Sequence, residues 1–271
     1  MLKLLKGLVL LIKKPFLINL VINNDYVFKA AVLKEFPQLK EGLKMVDFAT
    51  LFPNFKEKIT PFSFLGGGSL ATDIALIKGM VKQQQECTYF EIGTWRGESV
   101  SNVATDAQHC YTLNLSDDEL ISLGKDEEYI SQQSFFSKKL PHVTHLKGNS
   151  FQFDFSPYYN KCNVVFIDGG HDYASVLNDT QIAFKLLKDE NSVIIWHDYV
   201  HGSGEIRWDV LKGIYNGTPD DKKEQLFSVS NTLCAFYTNK KLPTIDNNLL
   251  TPTKNFEVNF QAKKIGVIST L

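Results

Sequence analysis

Cysteine is scarce in this sequence, charge of one sign does not predominate, and no apolar run is long. Only four cysteines occur, Cys87, Cys110, Cys162 and Cys234. They lie far apart, no pair has zinc-site or redox spacing, and each falls in or beside an apolar run with strand character. A disulfide scaffold and a structural zinc are thereby set aside in favour of small buried residues in a reducing compartment. Twenty-nine Lys and Arg against thirty Asp and Glu leave a formal charge of -1, so no global field draws nucleic acid. The opening stretch MLKLLKGLVLLIKKPFLINLVINN imitates a secretion signal. Lys13 and Lys14 interrupt it, leaving an apolar run of six residues, too short for a signal core or a membrane span. A cytoplasmic protein is expected. A basic-flanked apolar helix there has two uses, resting on a membrane surface or packing on the main domain or on a second copy of it.

At 271 residues with 44% hydrophobic content the chain suits one large domain with extensions. Residues 1–68 read as a helical and irregular extension, because Pro15, Pro37, Pro53 and Pro61 interrupt them too often for one long element. Gly66, Gly67 and Gly68 mark its end. Ser69 is then expected to cap a helix whose apolar positions Leu70, Ile74, Ile77 and Val81 recur at helical spacing. From residue 69 to 240, apolar runs at 88–93, 110–115, 143–147, 163–168, 192–197, 226–230 and 233–238 read as strands separated mostly by helix-length segments. Such alternation means a parallel sheet with crossover helices, a doubly wound α/β fold. Only Asn231 and Thr232 separate the last two runs, which predicts an antiparallel hairpin at the end of the sheet. Residues 241–271 form a polar tail, with a strand suggested at 256–260.

The segment Tyr89-Phe90-Glu91-Ile92-Gly93-Thr94-Trp95-Arg96-Gly97-Glu98-Ser99 is a strand, a glycine-bounded turn and a helix start. Ligands of open α/β sheets sit beyond the C-terminal strand ends, where this turn lies. Gly93 is expected to keep the backbone open to a ligand, and Gly97 to allow tight packing at the helix start. A pyrophosphate turn needs G-x-G-x-x-G, but Thr94, Trp95 and Arg96 fill the interval, and no Gly-Lys-Ser/Thr is present for a triphosphate. An oxidoreductase using a dinucleotide is thus disfavoured. A ligand bearing a carboxylate and an ammonium suits the turn better, the amides taking the former and Glu91 facing the latter.

These residues carry a resemblance. E-x-G-x-x-x-G after a strand resembles the first motif of the class I S-adenosylmethionine-dependent methyltransferases. The runs Phe166-Ile167-Asp168-Gly169-Gly170-His171-Asp172-Tyr173 and Trp196-His197-Asp198-Tyr199 resemble their bacterial branch related to macrocin-type and other sugar O-methyltransferases. The likeness spans residues 69–240. It implies a Rossmann-like, seven-stranded, mostly parallel sheet of order 3-2-1-4-5-7-6, S-adenosylmethionine as cofactor, and methyl transfer to a hydroxyl of a saccharide or small metabolite. Cofactor binding would fall to Glu91, Gly93, Thr94, Trp95, Gly97, Ser99, Asn114, Asn149, Ser150 and Asp168. Asn114 stands where relatives carry the acid that grips the ribose, so that role either weakens or passes to Asp117 or Asp118, and Asn149 stands where they often carry Asp near the adenine. The two changes open a second reading, a methyltransferase-like binding or scaffold module that has lost turnover.

Asp168 and Asp198 end adjacent central strands and should face one crevice. The resemblance implies two uses for them. One is a divalent ion such as magnesium held by Asp168, His197 and Asp198, although a histidine softens that site. The other is metal-free catalysis, in which His171 takes the acceptor's proton, with His201 as runner-up. Tyr158, Tyr159, Tyr173, Tyr199 and Trp208 follow strand ends and are aromatic faces for an acceptor or ordinary core.

Overall fold

The computed structural model describes residues 2–18, 25–202, 204–247 and 252–265. Residues 19–24, Ser203, and 248–251 and 266–271 of the expected tail lie outside the described residues. The helices are α1 (Leu2–Lys13), α2 (Asp25–Glu35), α3 (Phe48–Leu51), α4 (Ala71–Lys82), α5 (Glu98–Val103), α6 (Asp117–Ser122), α7 (Glu127–Ser131), α8 (Tyr173–Leu186) and α9 (Trp208–Gly217). The strands are β1 (Lys44–Val46), β2 (Thr88–Ile92), β3 (His109–Asn114), β4 (Val143–Lys147), β5 (Val164–Ile167), β6 (Val193–Trp196), β7 (Leu226–Val229) and β8 (Ala235–Tyr237).

They form one mixed sheet in the order β1-β7-β8-β6-β5-β2-β3-β4. The expected count of seven is corrected to eight. Residues 44–46, read from sequence as part of a helical and irregular extension, pair in parallel with β7 and add a strand at that edge, so the full order is not the one the resemblance implies. β7 and β8 form the antiparallel pair that their short connection predicts. Two smaller expectations also give way. α4 starts after Leu70, whose N–H donates to Asp73 at 2.6 Å, so Ser69 is not its cap. Residues 256–260 form no strand.

β5 and β6 are apolar throughout and fully buried, as central strands covered on both faces must be. One layer of core joins α8 and α9 to one face of the sheet, and a second joins α4 and α5 to the other. All four cysteines are free and buried in these layers. The register does the rest. Ile92 pairs with both Leu113 and Ile167, and Ile167 pairs with Trp196. The next residue on each of these strands is Gly93, Asn114, Asp168 or His197, so all four emerge at one height.

Candidate active site at the strand ends

The turn after β2 is shaped by what presses on it. Gly93 has φ +94°, and a Cβ there would lie 2.1 Å from the carbonyl oxygen of Asp168. The space left by its missing side chain is therefore filled by the Asp168–Gly169 backbone, and close approach of two loops, rather than an opening to a ligand, accounts for this glycine. Gly97 is left-handed at the start of α5, and a Cβ would lie 2.2 Å from Ser137 Oγ, so the tight packing expected here is made against Ser137. Arg96 is buried and donates to the carbonyls of Leu65 and Gly66 and to Glu98, while Glu98 accepts from Ser63 N–H. The glycine triplet and the segment before it are thus strapped over the turn. Trp95, at φ +41°, sets its ring edge-on to Tyr129 with centroids 4.5 Å apart.

Glu91 lies beneath this turn, fully buried. One carboxylate oxygen, Oε2, accepts from Tyr89 Oη and Ser99 Oγ, each at 2.6 Å. Burial, reinforced by the nearby charge of Asp168, pushes its pKa up to about 8, against the pull of those two hydrogen bonds. Among the described residues the second oxygen, Oε1, has no partner, and neither do Thr94 Oγ1 and Trp95 Nε1. Three orphaned buried polar atoms within five residues are costly unless something completes them.

The other half of the site is a chain of charges. His197 is 7% exposed. Its Nε2 lies 3.1 Å from Asp73 Oδ2, and its Nδ1 lies 3.0 Å from Asp168 Oδ1 and 3.4 Å from Asp198 Oδ2 without straight alignment to either. Asp73 is fixed from behind by the N–H groups of Leu70 and Leu233. Burial would lower the histidine's pKa, but Asp168, Asp198 and Asp73 raise it well above the ordinary value. Burial would likewise raise the Asp198 carboxyl, yet His197, His171 and Arg207 bring it down to about 2. The donor atoms of Asp168, His197 and Asp198 come within 4.8 Å of one another, close enough for one ion. A neutral ring donating to Asp73 would turn its Nδ1 lone pair on two carboxylates. A cation must therefore sit between them, and three acids around the ring favour the proton on Nδ1. A divalent ion held by these three donors would have to displace that proton.

His171 is half-exposed, with Nε2 3.2 Å from Asp198 Oδ2, and Arg207 donates to its carbonyl at 3.2 Å. Asp198 is itself left-handed at φ +57°, a conformation that costs a non-glycine residue energy and recurs at functional sites. His201 instead pairs with Asp25 at 3.2 Å, away from this cluster.

Around the nucleoside end expected from sequence, Asn114 Nδ2 donates to Gln133 Oε1, which leaves its carbonyl as an acceptor for a hydroxyl. Asn149 Oδ1 accepts from Phe151 N–H at 3.0 Å and so shapes its own turn. Ser150 Oγ lies 3.5 Å from Asn178 Nδ2, and Asn178 also donates to Asp179 at 2.9 Å. Asp117 pairs with Lys147 at the surface. Of the five aromatics, Tyr158 packs edge-on against Phe90 and Tyr111, and Tyr173 accepts from Asn216. Only Tyr199 and Trp208 line a recess of about 720 Å³ beside the ends of β6 and β7, together with Lys29, Glu41 and Glu205.

Sequence reasoning missed Asp73, Arg207 and Asp179. Asp73 reads as a helix-cap residue, and its partner is 124 positions away. Asp179 sits on the buried side of α8 with Val176, Thr180 and Ala183, where burial raises its pKa to about 6. An acid on an amphipathic helix carries no sign in sequence that it faces inward.

In a doubly wound sheet of this kind, ligands bind beyond the carboxyl ends of the strands, where the glycine-bounded turn and Asp168 lie. Residues 90–199 match a family model described as a methyltransferase domain. Over 121 residues the chain is 27% identical to the uncharacterized protein R132 of Acanthamoeba polyphaga mimivirus, covering 43% of this chain and 53% of that one. It thus spans about half the length of the curated relative it matches. Among solved structures, an O-methyltransferase from Bacillus cereus in complex with SAH is 19% identical, with 55% of this chain and 68% of that chain covered and a TM-score of 0.39. Cofactor-bound Rv0187 from MTB is 16% identical, with 65% and 84% covered and a TM-score of 0.44.

Proposed function

We propose that this protein is an S-adenosylmethionine-dependent methyltransferase acting on a hydroxyl of a saccharide or other polar metabolite. The observation that carries the reading is the set of orphaned buried atoms at the first turn, Glu91 Oε1, Thr94 Oγ1 and Trp95 Nε1. Once an incoming ammonium displaces the Glu91 proton, an acceptor and two donors stand there, complementary to an amino acid's ammonium and carboxylate. Asn114 would accept from the ribose, and Asn149 and Ser150 would border the base. When bound, S-adenosylmethionine supplies an electrophilic methyl group.

The chain's own part is acid–base work. An alcohol is a weak nucleophile at neutral pH, so its proton must leave as the new bond forms. His171 is the base. With ionised Asp198 3.2 Å from Nε2 favouring a proton there, Nδ1 is the face that receives the hydroxyl proton, and the carboxylate then stabilises the imidazolium formed. His197 keeps Asp198 ionised and in place, and no step is assigned to a metal. The recess beside Tyr199 and Trp208 carries both signs of charge, from Lys29, Glu41 and Glu205, which suits a hydroxyl-rich acceptor.

Thermal melting with two ligands tests the reading. S-adenosylhomocysteine should raise the melting temperature, and a reduced nicotinamide dinucleotide should not. Stabilisation by the dinucleotide alone would return the oxidoreductase reading. Formation of S-adenosylhomocysteine from the methylated cofactor, with a hydroxylated acceptor present, separates an active enzyme from a binding module.

A further inference from the structure

The helix α1 presents an unusual surface. None of its residues is buried. Leu2, Leu4, Leu5 and Ile12 are 70%, 71%, 62% and 80% exposed, and Phe16, in the turn Pro15–Leu17 that follows, is 63% exposed. At about 100° per residue, Lys3, Lys6 and Lys13 share one side of the cylinder with Leu2 and Leu10 among them, Leu4, Leu5, Leu8, Leu11 and Ile12 occupy the opposite side, and Val9 lies at the border. Lys14 follows at once, and no acidic residue occurs before Asp25.

Three occupants of this apolar face compete. The protein's own core does not cover it, since every residue of the helix keeps solvent access. A second α1 packed through the same face would turn its lysines outward and leave them all unpaired, since neither helix carries an acid to match them. A helix of 12 residues reaches only about 18 Å, short of the roughly 30 Å hydrocarbon core, and no helix of the described residues is long and apolar enough to cross a membrane. An anionic lipid surface meets both demands, because it takes leucines into its acyl boundary and lysines among its headgroups.

We propose that α1 is an interfacial helix that docks the protein on anionic membrane surfaces, lying in the plane of the headgroups without spanning. The proposal is independent of the methyl-transfer reading, because it uses no residue of that site. It places the α/β domain at a lipid surface.

The test is co-sedimentation of the full chain with phosphatidylcholine vesicles, with and without phosphatidylserine, at low and high salt. Binding should be strong only with phosphatidylserine, should weaken as salt rises, and should fall by about fivefold for each lysine neutralised among Lys3, Lys6, Lys13 and Lys14. The combined change Leu4→Asn, Leu8→Asn and Ile12→Asn should abolish it while leaving the melting temperature in place, because these side chains support no core. Equal binding to both vesicles, or none to either, overturns the proposal. So does a loss of self-association in the asparagine variant without any lipid binding by the parent, which would assign the face to a second copy.

Discussion

The carbonyl oxygen of Asp168 lies 2.1 Å from where a Cβ on Gly93 would stand, so the ends of β2 and β5 touch backbone to backbone. Both residues belong to the motifs that carry the cofactor reading, and their contact fixes the height of one against the other. Gly93→Ala should therefore destabilise strongly, through a backbone clash and a left-handed φ together, by on the order of 3 kcal/mol or more. Calorimetric melting should show a fall of roughly 6–12 °C. An unchanged melting temperature would mean that the two loops are not packed as described.

Glu91 makes stability depend on pH with a definite sign. Its pKa is raised from 4.5 to about 8 by burial, so the folded state holds its proton more tightly than the unfolded chain does. Its contribution is complete below 4.5 and is lost as pH rises through about 8. The full loss is on the order of 5 kcal/mol for a group buried this completely. Glu91→Gln should be close to neutral at pH 5 and stabilising at pH 9, read as the difference in melting temperature between variant and parent. A constant difference across that range would show that the carboxyl is not buried beside Asp168.

Turnover should separate from binding at His171 and Asp198. His171→Gln removes the base and should lower kcat by roughly 10²–10⁴-fold, with affinity for S-adenosylhomocysteine retained. Asp198→Asn keeps the shape but loses the ionised partner of Nε2, so its effect should fall mainly on kcat. Equal losses in binding and turnover would make His171 a structural residue.

The charge chain Asp73–His197–Asp168 answers the question of metal chemistry in a measurable way. A proton on His197 satisfies it, so EDTA should leave both melting temperature and cofactor affinity unchanged at neutral pH. Binding of manganese, followed by its paramagnetic resonance, should be weak there and should rise with pH as Nδ1 gives up its proton. Tight manganese binding at pH 6 would contradict the assignment of the proton.

Much of this was legible in the sequence where apolar pattern and strand ends coincide. Val164 to Ile167 and Val193 to Trp196 are unbroken apolar runs, and the residues after them, Asp168 and His197, are placed by register alone. β1 was not legible. Lys44-Met45-Val46 carries no apolar run of its own, and it becomes a strand only through pairing with β7 and a bridge from Met45 to Ile245. Asp73 was not legible as the anchor of His197, because that role depends on a residue brought near only by the closed sheet. Asn114 was read as a weakened ribose contact. Its bond to Gln133 supplies the detail sequence lacks, since one of the amide's two donors is spent inside the protein and its acceptor is left.

The most direct measurement is titration calorimetry of the full chain with S-adenosylhomocysteine. One ligand should bind per chain with saturable heat, and Thr94→Val combined with Trp95→Phe, which removes both orphaned donors, should weaken it by at least tenfold while the fold melts as before. No heat at high protein concentration, or undiminished binding by the double variant, would contradict the claim that the turn from Gly93 to Gly97 receives the amino-acid end of the cofactor.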